Sequence, residues 1–530
     1  MVTVKLGNWS LGFGTEADGD QKRPLVLVIL DGWGYSDKNH GNAIAMANTP
    51  NFDRIRNSYP GTLLAASGQR VGLTSNTPGN PEIGHLNIGT GRAVKSKRAR
   101  VGDALADGSF YKNKVLQRAL KKVAKRGSSL HLVGLLSDGE VQSSTETLFS
   151  LLRMAKKKGL KDKVFVHGFL DGVDVPPRSG DVYVEAIEIK LADIGVGKLA
   201  TLCGRQYAMD ATQNWQRTAK AYTMLAHSEG VGANDAVTAI RESYLRGLTD
   251  EFVQPIILQD EDEKPIASIN DRDVVIFFNH RGEEMRQLVR AVVESETDSV
   301  STFAKPKVDI VCMTDYDQDL GEPVAFGAVG ESNVLADVFA DHGIEHGLFT
   351  ESGRLRHMTF YFNGREGRSR RGEKRIVVES ASEMLQEKPE MGSFKVADSV
   401  LRAIDSAEQD VFIVNLSAAD FAARSGNLEK TIEAVQYVDT CLGGIIDKVR
   451  ERGGVALVTS DHGNCEDMSM NGSAPTPFTS NPVPFYFVGD HLNGLELREG
   501  GALEDIAPTI LGILGISKPD EMTGNDLRKS

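Results

Sequence analysis

The sequence has no long apolar run, and this absence excludes membrane-spanning proteins. No window of its 530 residues approaches the roughly 18 consecutive apolar residues that a transmembrane helix needs. The first residues, MVTVKLGNWSLGFG, also lack a basic stretch followed by a long apolar one, so we expect no secretory signal. The chain is therefore expected to be a cytoplasmic protein that does not bind membranes.

Cysteine and positive charge are both scarce. The four cysteines, Cys203, Cys312, Cys441 and Cys465, show no CxxC spacing, which is typical of free thiols in a reducing compartment. The formal net charge is −13, whereas the phosphate backbone of a nucleic acid attracts a basic surface. These features disfavour nucleic acid as a partner, and we expect a monomer that acts on a small molecule.

The sequence does contain an alternation of apolar strands and helical segments. Three apolar runs end in polar residues: PLVLVILDGWG, VFIVNLSAAD and VALVTSDHGN. Between the last two runs, apolar residues recur at helical spacing, and strand, helix, strand predicts a parallel sheet. Ligands of such sheets bind beyond the carboxyl ends of the strands. Asp31, Asp420, Asp461 and His462 all occupy such ends, and we expect them to converge on one site.

The middle of the chain has an alternation of its own. Its apolar runs are SLHLVGLLSDGE, KVFVHGFLDGVD and KLATLCGRQYAMD, separated by helical segments. A chain of 530 residues also exceeds the roughly 250–300 at which one hydrophobic core stops growing. We therefore predict an α/β protein with one domain made of residues 1–95 and 329–530, and a second α/β domain inserted at 96–328.

Eight motifs carry a resemblance to a known family. In chain order they are LDGWG, GNPEIGHLNIGTGR, LLSDGEVQS, FLDGVDVPP, GRQYAMD, FFNHRGEEMRQ, SDHGNCEDM and NPVPF. From about residue 24 to 526 the sequence is similar to the cofactor-independent, or 2,3-bisphosphoglycerate-independent, phosphoglycerate mutases of the alkaline phosphatase superfamily. The resemblance implies that residues 1–95 and 329–530 form a doubly wound, alkaline-phosphatase-like metal-binding domain. Residues 96–328 would then form the substrate domain.

The position of the family's nucleophile is altered. The resemblance implies a serine that carries the phosphoryl group, two divalent metals and an arginine-rich clamp for the substrate. Pro81 stands where that serine is expected, and a proline has no hydroxyl with which to form a phosphoenzyme. Ser75 and Thr77 lie upstream in the same loop and could replace it only with a rearranged backbone. Their hydroxyls could equally serve only to cap turns of the loop.

Half of the bimetallic centre that the resemblance implies is retained. One metal site keeps three of the ligands that the resemblance implies, Asp31, Asp461 and His462, while the serine among them is replaced by Pro81. Oxygen and imidazole ligands suit Mn²⁺, Zn²⁺ or Fe²⁺, and we expect one divalent ion, Mn²⁺ above the others. At the other site Asp420 matches, but Arg424 and Phe478 replace the two histidines.

Arg424 has two possible roles. Its guanidinium could bring a fixed positive charge to the vacated metal position and hold Asp420 together with a phosphate oxygen. Alternatively, it only forms a salt bridge with Asp420. The first role would make Arg424 and Asp420 catalytic residues.

The substrate clamp departs from the family as well. Three basic side chains and one acid remain as candidate substrate-binding residues, and Gln142 replaces a histidine. The retained residues are Arg205, Arg281, Arg354 and Asp174, where Arg354 takes the place of a lysine. The positions of three family arginines hold Val173, Ala211 and Glu284. We therefore expect a less anionic or bulkier ligand than phosphoglycerate, such as a phosphonate or phosphodiester that carries a carboxylate.

The sequence thus predicts a phosphoglycerate-mutase-like isomerase or phosphotransferase with a single metal. The predicted reaction is direct phosphoryl or phosphonyl transfer, or phosphoester chemistry, on a small carboxylate-containing substrate without a phosphoserine intermediate. Two alternatives remain open. One is interconversion of 2- and 3-phosphoglycerate with a displaced nucleophile, and the other is a non-catalytic relative that binds a metabolite.

Overall fold

The protein is described from a computed structural model. The structure describes residues 2–6, 9–13, 23–211, 213–293, 305–317, 319–327, 330–380, 392–468, 478–490, 492 and 494–529. The chain divides into two compact units, Met1–Ser96 with Val329–Ser530 and Lys97–Ala328. Residues 328 and 329, at the second predicted domain boundary, lie outside the described residues.

The elements of the described residues follow in chain order. The strands are β1 (Val2–Leu6), β2 (Trp9–Phe13), β3 (Leu25–Leu30), β4 (Gly61–Ala65), β5 (Leu130–Leu135), β6 (Val164–Leu170), β7 (Lys198–Gly204), β8 (Val231–Ala233), β9 (Ile256–Leu258), β10 (Val274–Phe277), β11 (Asp309–Cys312), β12 (His346–Glu351), β13 (Glu373–Val378), β14 (Val411–Leu416), β15 (Val455–Thr459), β16 (Val483–Val488) and β17 (Gly501–Ala502). The α-helices are α1 (Ala43–Met46), α2 (Pro50–Ser58), α3 (Pro81–Thr90), α4 (Lys97–Ala106), α5 (Lys114–Arg126), α6 (Thr145–Lys157), α7 (Gly180–Ile194), α8 (Arg205–Ala208), α9 (Trp215–His227), α10 (Ala236–Leu245), α11 (Arg286–Val293), α12 (Leu335–Asp341), α13 (Ser393–Ser406), α14 (Ala418–Arg424), α15 (Leu428–Glu451) and α16 (Ile506–Ile513).

The first unit is built on a sheet with the strand order β13-β12-β14-β3-β15-β16-β4-β17. The five strands from β13 to β15 are parallel to their neighbours, and β16 pairs antiparallel with both β15 and β4. Along β3, residues 25, 27 and 29 pack into one hydrophobic core and residues 26, 28 and 30 into another. Both faces of the sheet are therefore covered, which explains why the strand is apolar throughout.

The second unit has a sheet with the order β11-β10-β5-β6-β7-β9-β8. The strands from β11 to β7 are parallel, and β9 pairs antiparallel with β7. Two hydrophobic cores again lie against the sheet. The predicted α/β class, with two sheets that are mostly parallel, is confirmed.

Four neighbouring parallel strands of the first unit position the polar residues of interest. These strands, in the order β12-β14-β3-β15, all end at the same edge of the sheet. Arg354, Asp420, Asp31 and Asp461 follow their respective carboxyl ends within a few residues. Across the part of the chain that the structure describes, no helix combines the length and hydropathy needed to cross a bilayer.

Candidate functional site

Three buried aspartates form the centre of the site in the first unit. Asp31, Asp420 and Asp461 are each 0% exposed. Arg354 lies between two of them: its Nε donates to Asp31 Oδ2 at 2.6 Å, and its Nη2 donates to Asp420 Oδ2. Its guanidinium also stacks over the ring of Phe421 at 4.3 Å. Arg354 is itself only 2% exposed, so its positive charge faces these two carboxylates and not solvent.

His462 bridges the second pair of carboxylates. Its Nδ1 lies 2.8 Å from Asp461 Oδ1 and its Nε2 lies 3.2 Å from Asp420 Oδ1. Burial disfavours the charged ring, but the two aspartates outweigh it and raise the pKa of His462 to about 10. The ring of Phe478 packs edge-on against the imidazole at 4.6 Å. A carboxylate at each nitrogen thus stabilises the charged form of the His462 ring.

The three carboxyl groups differ in acidity. Burial raises the pKa of Asp31 to about 6, with Asp461 adding to the rise and Arg354 opposing it. Burial has the same tendency at Asp420, but His462 and Arg354 outweigh it and lower the pKa to about 2. Asp461 is likewise held well below its usual pKa, because His462 and His85 outweigh burial. The centre therefore contains carboxylates whose charge is compensated by internal cations.

His85 joins this centre from helix α3. Pro81 is the first residue of the helix, where a missing N–H leaves no hydrogen bond unmade, and the side chain of Asn80 caps the helix by accepting from Ile83 N at 3.0 Å. The backbone oxygen of Pro81 accepts from His85 Nδ1 at 2.9 Å. This bond fixes the tautomer and leaves the lone pair on Nε2, which lies 3.9 Å from Asp31 Oδ1.

One group of residues in the described chain is arranged to hold a metal ion. Asp31, His85 and Asp461 each offer a ligand atom, and these atoms lie within 4.8 Å of one another. Two carboxylate oxygens and an imidazole nitrogen fit one divalent ion of the Mn²⁺, Zn²⁺ or Fe²⁺ type. The predicted ligands Asp31 and Asp461 belong to this group together with His85, and a ligand role for His462 stays a prediction. Sequence reasoning missed His85, although it is the last residue of GNPEIGH.

Arg424 does not reach the centre. It is exposed in the last turn of α14, with its guanidinium 6.0 Å from the ring of Phe421. Asp420 is contacted instead by Arg354, His462 and Asn464, whose Nδ2 donates at 2.7 Å. The contact with Asp420 that the sequence suggested for Arg424 is thus made by Arg354.

In the second unit, Arg205 is surrounded by acids. Its Nη1 donates to Asp171 at 2.7 Å and to Asp174 at 2.8 Å, and its Nη2 lies 3.5 Å from Glu284. Arg205 and Asp174, two of the predicted substrate-binding residues, are therefore in direct contact. Asp171 was not predicted, although it stands in the motif FLDGVDVPP directly after β6. The three carboxylates compensate the charge that Arg205 would otherwise offer an anionic ligand.

The remaining predicted clamp positions of this unit differ in exposure. Gln142 is buried, and its backbone oxygen accepts from the backbone nitrogens of His280 at 2.6 Å and Arg281 at 3.4 Å. Its side-chain Oε1 has no hydrogen-bond partner among the described residues. Arg281, Val173 and Ala211 are exposed. Among these positions, Arg281 therefore offers a positive charge to solvent.

Comparisons with known proteins agree on one family. The family model described as the BPG-independent PGAM N-terminus matches residues 101–318. The chain is 44% identical to 2,3-bisphosphoglycerate-independent phosphoglycerate mutase 1 of Methanosarcina acetivorans over 511 residues, which cover 96% of this chain and 98% of that protein. It is 43% identical to the mutase of Desulforudis audaxviator, with 95% and 99% covered. A crystal structure of Leishmania mexicana phosphoglycerate mutase at low cobalt concentration matches with a TM-score of 0.74 and 27% identity, covering 100% of both chains.

Proposed function

Because the chain belongs to the 2,3-bisphosphoglycerate-independent phosphoglycerate mutase family, as the motifs indicated, we propose that it interconverts 2- and 3-phosphoglycerate. The observation that carries this proposal is 44% identity to such a mutase along 96% of the chain. It favours the reaction that the sequence analysis left as an alternative over direct transfer to a different substrate. The retained acids Asp31 and Asp461 at the sheet edge support the same reaction class.

The proposed cofactor is one divalent ion, with Mn²⁺ above Zn²⁺ and Fe²⁺, held by Asp31, His85 and Asp461. Such an ion supplies Lewis-acid stabilisation of negative charge on a phosphoryl group. The chain's own contribution is orientation: the carbonyl of Pro81 fixes the ring of His85, and the backbone nitrogen of Gly32 donates to Asp461 Oδ1 at 3.3 Å. Arg354 and His462 stabilise the ionised form of Asp420.

A carrier hydroxyl must come from a residue other than Pro81. In the preceding loop Ser75 is exposed, whereas Thr77 is half-buried with its Oγ1 2.6 Å from Thr74 Oγ1. Two residues further on, the loop passes His462, since a Cβ added at Gly79 would lie 3.2 Å from the His462 Cβ. Thr77 is therefore the better placed of the two. Its oxygen would attack phosphorus as the substrate's phosphoester bond breaks, and the substrate oxygen would gain the proton that Thr77 loses.

The test is to incubate the purified, Mn²⁺-loaded protein with 3-phosphoglycerate and follow ³¹P NMR. We expect 2-phosphoglycerate to appear, and a phosphopeptide that contains Thr77 to be recovered after acid quench. The Pro81→Ala variant serves as control and should keep its turnover, because Pro81 contributes no hydroxyl. Absence of exchange in a protein that binds both Mn²⁺ and 3-phosphoglycerate would contradict the proposal.

A second candidate function is direct transfer without a covalent intermediate, as the sequence first suggested. Pro81 favours it, because an acceptor hydroxyl bound in line with phosphorus requires no carrier. The carboxylates around Arg205 favour a less anionic ligand, such as a phosphonate or phosphodiester that carries a carboxylate. Tighter binding of such a ligand than of 3-phosphoglycerate, with no phosphopeptide, would support this function over the first.

The carboxylates around Arg205 lead to a further prediction. The Glu284→Gln variant is expected to bind 3-phosphoglycerate roughly two- to fivefold more tightly, because it removes one negative charge 3.5 Å from the guanidinium of Arg205. Titration calorimetry measures the change, and Glu283→Gln at the neighbouring exposed position is the matched control. Equal affinities for both variants and the parent protein would show that Arg205 does not contact the ligand.

A further inference from the structure

The two sides of Asp31 offer a metal ion very different surroundings. On one side, Asp31 Oδ1 faces Nε2 of His85 and accepts from the amide of Asn415. On the other side, Asp31 Oδ2 is bonded to Nε of Arg354 at 2.6 Å, and Asp420 Oδ2 accepts from Nη2 of the same guanidinium. The side chain of Arg354 thus donates to one oxygen of Asp31 and to one oxygen of Asp420, the two aspartates that would face a second ion.

The other oxygen of Asp420 is occupied as well. Asp420 Oδ1 lies 3.2 Å from His462 Nε2 and accepts from Asn464 Nδ2 at 2.7 Å. Neither of its carboxylate oxygens is therefore left without a partner. The histidines that the resemblance implies for this side are also missing, because Arg424 is exposed and Phe478 is an apolar ring against His462. As long as Arg354 is bonded to Asp31 and Asp420, the residues on this side do not fit a divalent ion.

The guanidinium of Arg354 is held in place from several directions. It follows β12 in the short turn Ser352–Arg354, at the same sheet edge as the aspartates. Its stack on Phe421 at 4.3 Å and its 2% exposure leave it little freedom to swing into solvent. A planar guanidinium, which cannot be deprotonated in proteins, matches two carboxylates that face it from different elements, Asp31 after β3 and Asp420 in α14.

We propose that Arg354 is a built-in cation that takes the position of a second divalent ion, so that the centre binds one metal ion and excludes another. The inference rests on the proposed single-metal site at Asp31, His85 and Asp461 and adds the reason for its stoichiometry. A metal ion can exchange with solvent and can be removed by a chelator, whereas this cation is covalently part of the chain. Chelation therefore removes only one of the two cations that flank Asp31.

The first experiment counts ions in the unaltered protein. After dialysis against Mn²⁺, elemental analysis should give one ion per chain, and the electron paramagnetic resonance spectrum should be that of an isolated Mn²⁺. Two ions about 3.5–4 Å apart, the spacing of two-metal centres, would instead give an exchange-coupled spectrum and overturn the inference. If the protein binds two ions and interconverts 2- and 3-phosphoglycerate, only this inference is overturned and the proposed function stands. If the protein binds one ion but does not interconvert 2- and 3-phosphoglycerate, only the proposed function is overturned.

Variants then test Arg354 itself. Arg354→Ala should gain a second Mn²⁺ binding event in calorimetry and a larger Mn²⁺-induced rise in Tm than the parent protein. The unaltered protein, which keeps the guanidinium, should stay at one ion. Arg424→Ala removes an exposed arginine close to the same aspartate in sequence and should also stay at one. A folded Arg354→Ala protein that still binds one ion would contradict the inference, and the spectrum of the unaltered protein decides the question if that variant does not fold.

Discussion

The Asp461→Asn variant is expected to lose its bound divalent ion and to be less stable by about 3–5 kcal/mol, the usual cost of breaking a buried ion pair. Asp461 is 0% exposed, and its carboxylate contacts His462 Nδ1 at 2.8 Å and His85 Nδ1 at 3.2 Å. Asparagine has nearly the same shape but no charge, so the cation of His462 would lose a counter-charge and Nδ1 of His85 would lose a charged partner. Turnover should fall by roughly 10³-fold, as when preorganised electrostatic stabilisation is removed.

Denaturant unfolding at pH 7 and elemental analysis of the dialysed protein measure the first two effects. Asp467→Asn is the matched control, because the ion pair of Asp467 with the exposed Lys38 is long, at 3.9 Å. Such surface pairs contribute about 0–1 kcal/mol. A loss of stability at Asp461 no larger than that of the control would refute the idea that this carboxylate anchors the centre.

The pH dependence of stability should change strongly in the Glu351→Gln variant. Glu351 ends β12, is 1% exposed and accepts from the backbone nitrogen of Gly392 at 3.0 Å. Burial raises the pKa of its carboxyl group from 4.5 to about 7, although the bond from Gly392 opposes the rise. The folded protein therefore binds this proton more tightly than the unfolded chain does.

The sign of the effect follows from this difference. The stabilisation from protonated Glu351 is fully present below about pH 4.5 and is lost as the pH rises to about 7, a loss of about 3 kcal/mol. Glu351→Gln cannot titrate, so its stability relative to the parent protein should increase over this window. The free energy of unfolding, measured from pH 4 to 8, provides the test, with the exposed Glu345→Gln as control. Parallel curves for Glu351→Gln and the parent protein would contradict the prediction.

The sheet edge could be predicted because its signal is local. Each run that forms β3, β14 and β15 is mostly apolar and buried at every position, and each ends in an acid or a short polar segment. The α/β class follows from these runs and the helices between them. The family followed from motif order, and the comparisons confirm it.

The cation at Asp420 could not be predicted from sequence spacing. Arg424 is four residues after Asp420 on a helix, a spacing at which side chains often meet. Arg354 instead arrives from the neighbouring strand β12 and takes Asp420 Oδ2, while His462 and Asn464 contact Oδ1. Which of two arginines neutralises an acid therefore depends on strand order, which a single sequence does not contain. His85 was missed for a related reason, because its usable nitrogen depends on a backbone contact.

That backbone contact has a consequence for how this position can vary. His85 is oriented by the main-chain oxygen of residue 81, and the helix begins there with a residue that needs no N–H partner. Every amino acid has a carbonyl oxygen, so the imidazole keeps its orientation whether residue 81 has a hydroxyl, a ring or a methyl group. The side chain of residue 81 can therefore change without altering the orientation of His85. A lineage could lose or regain a nucleophile at this position without rebuilding the helix that presents it.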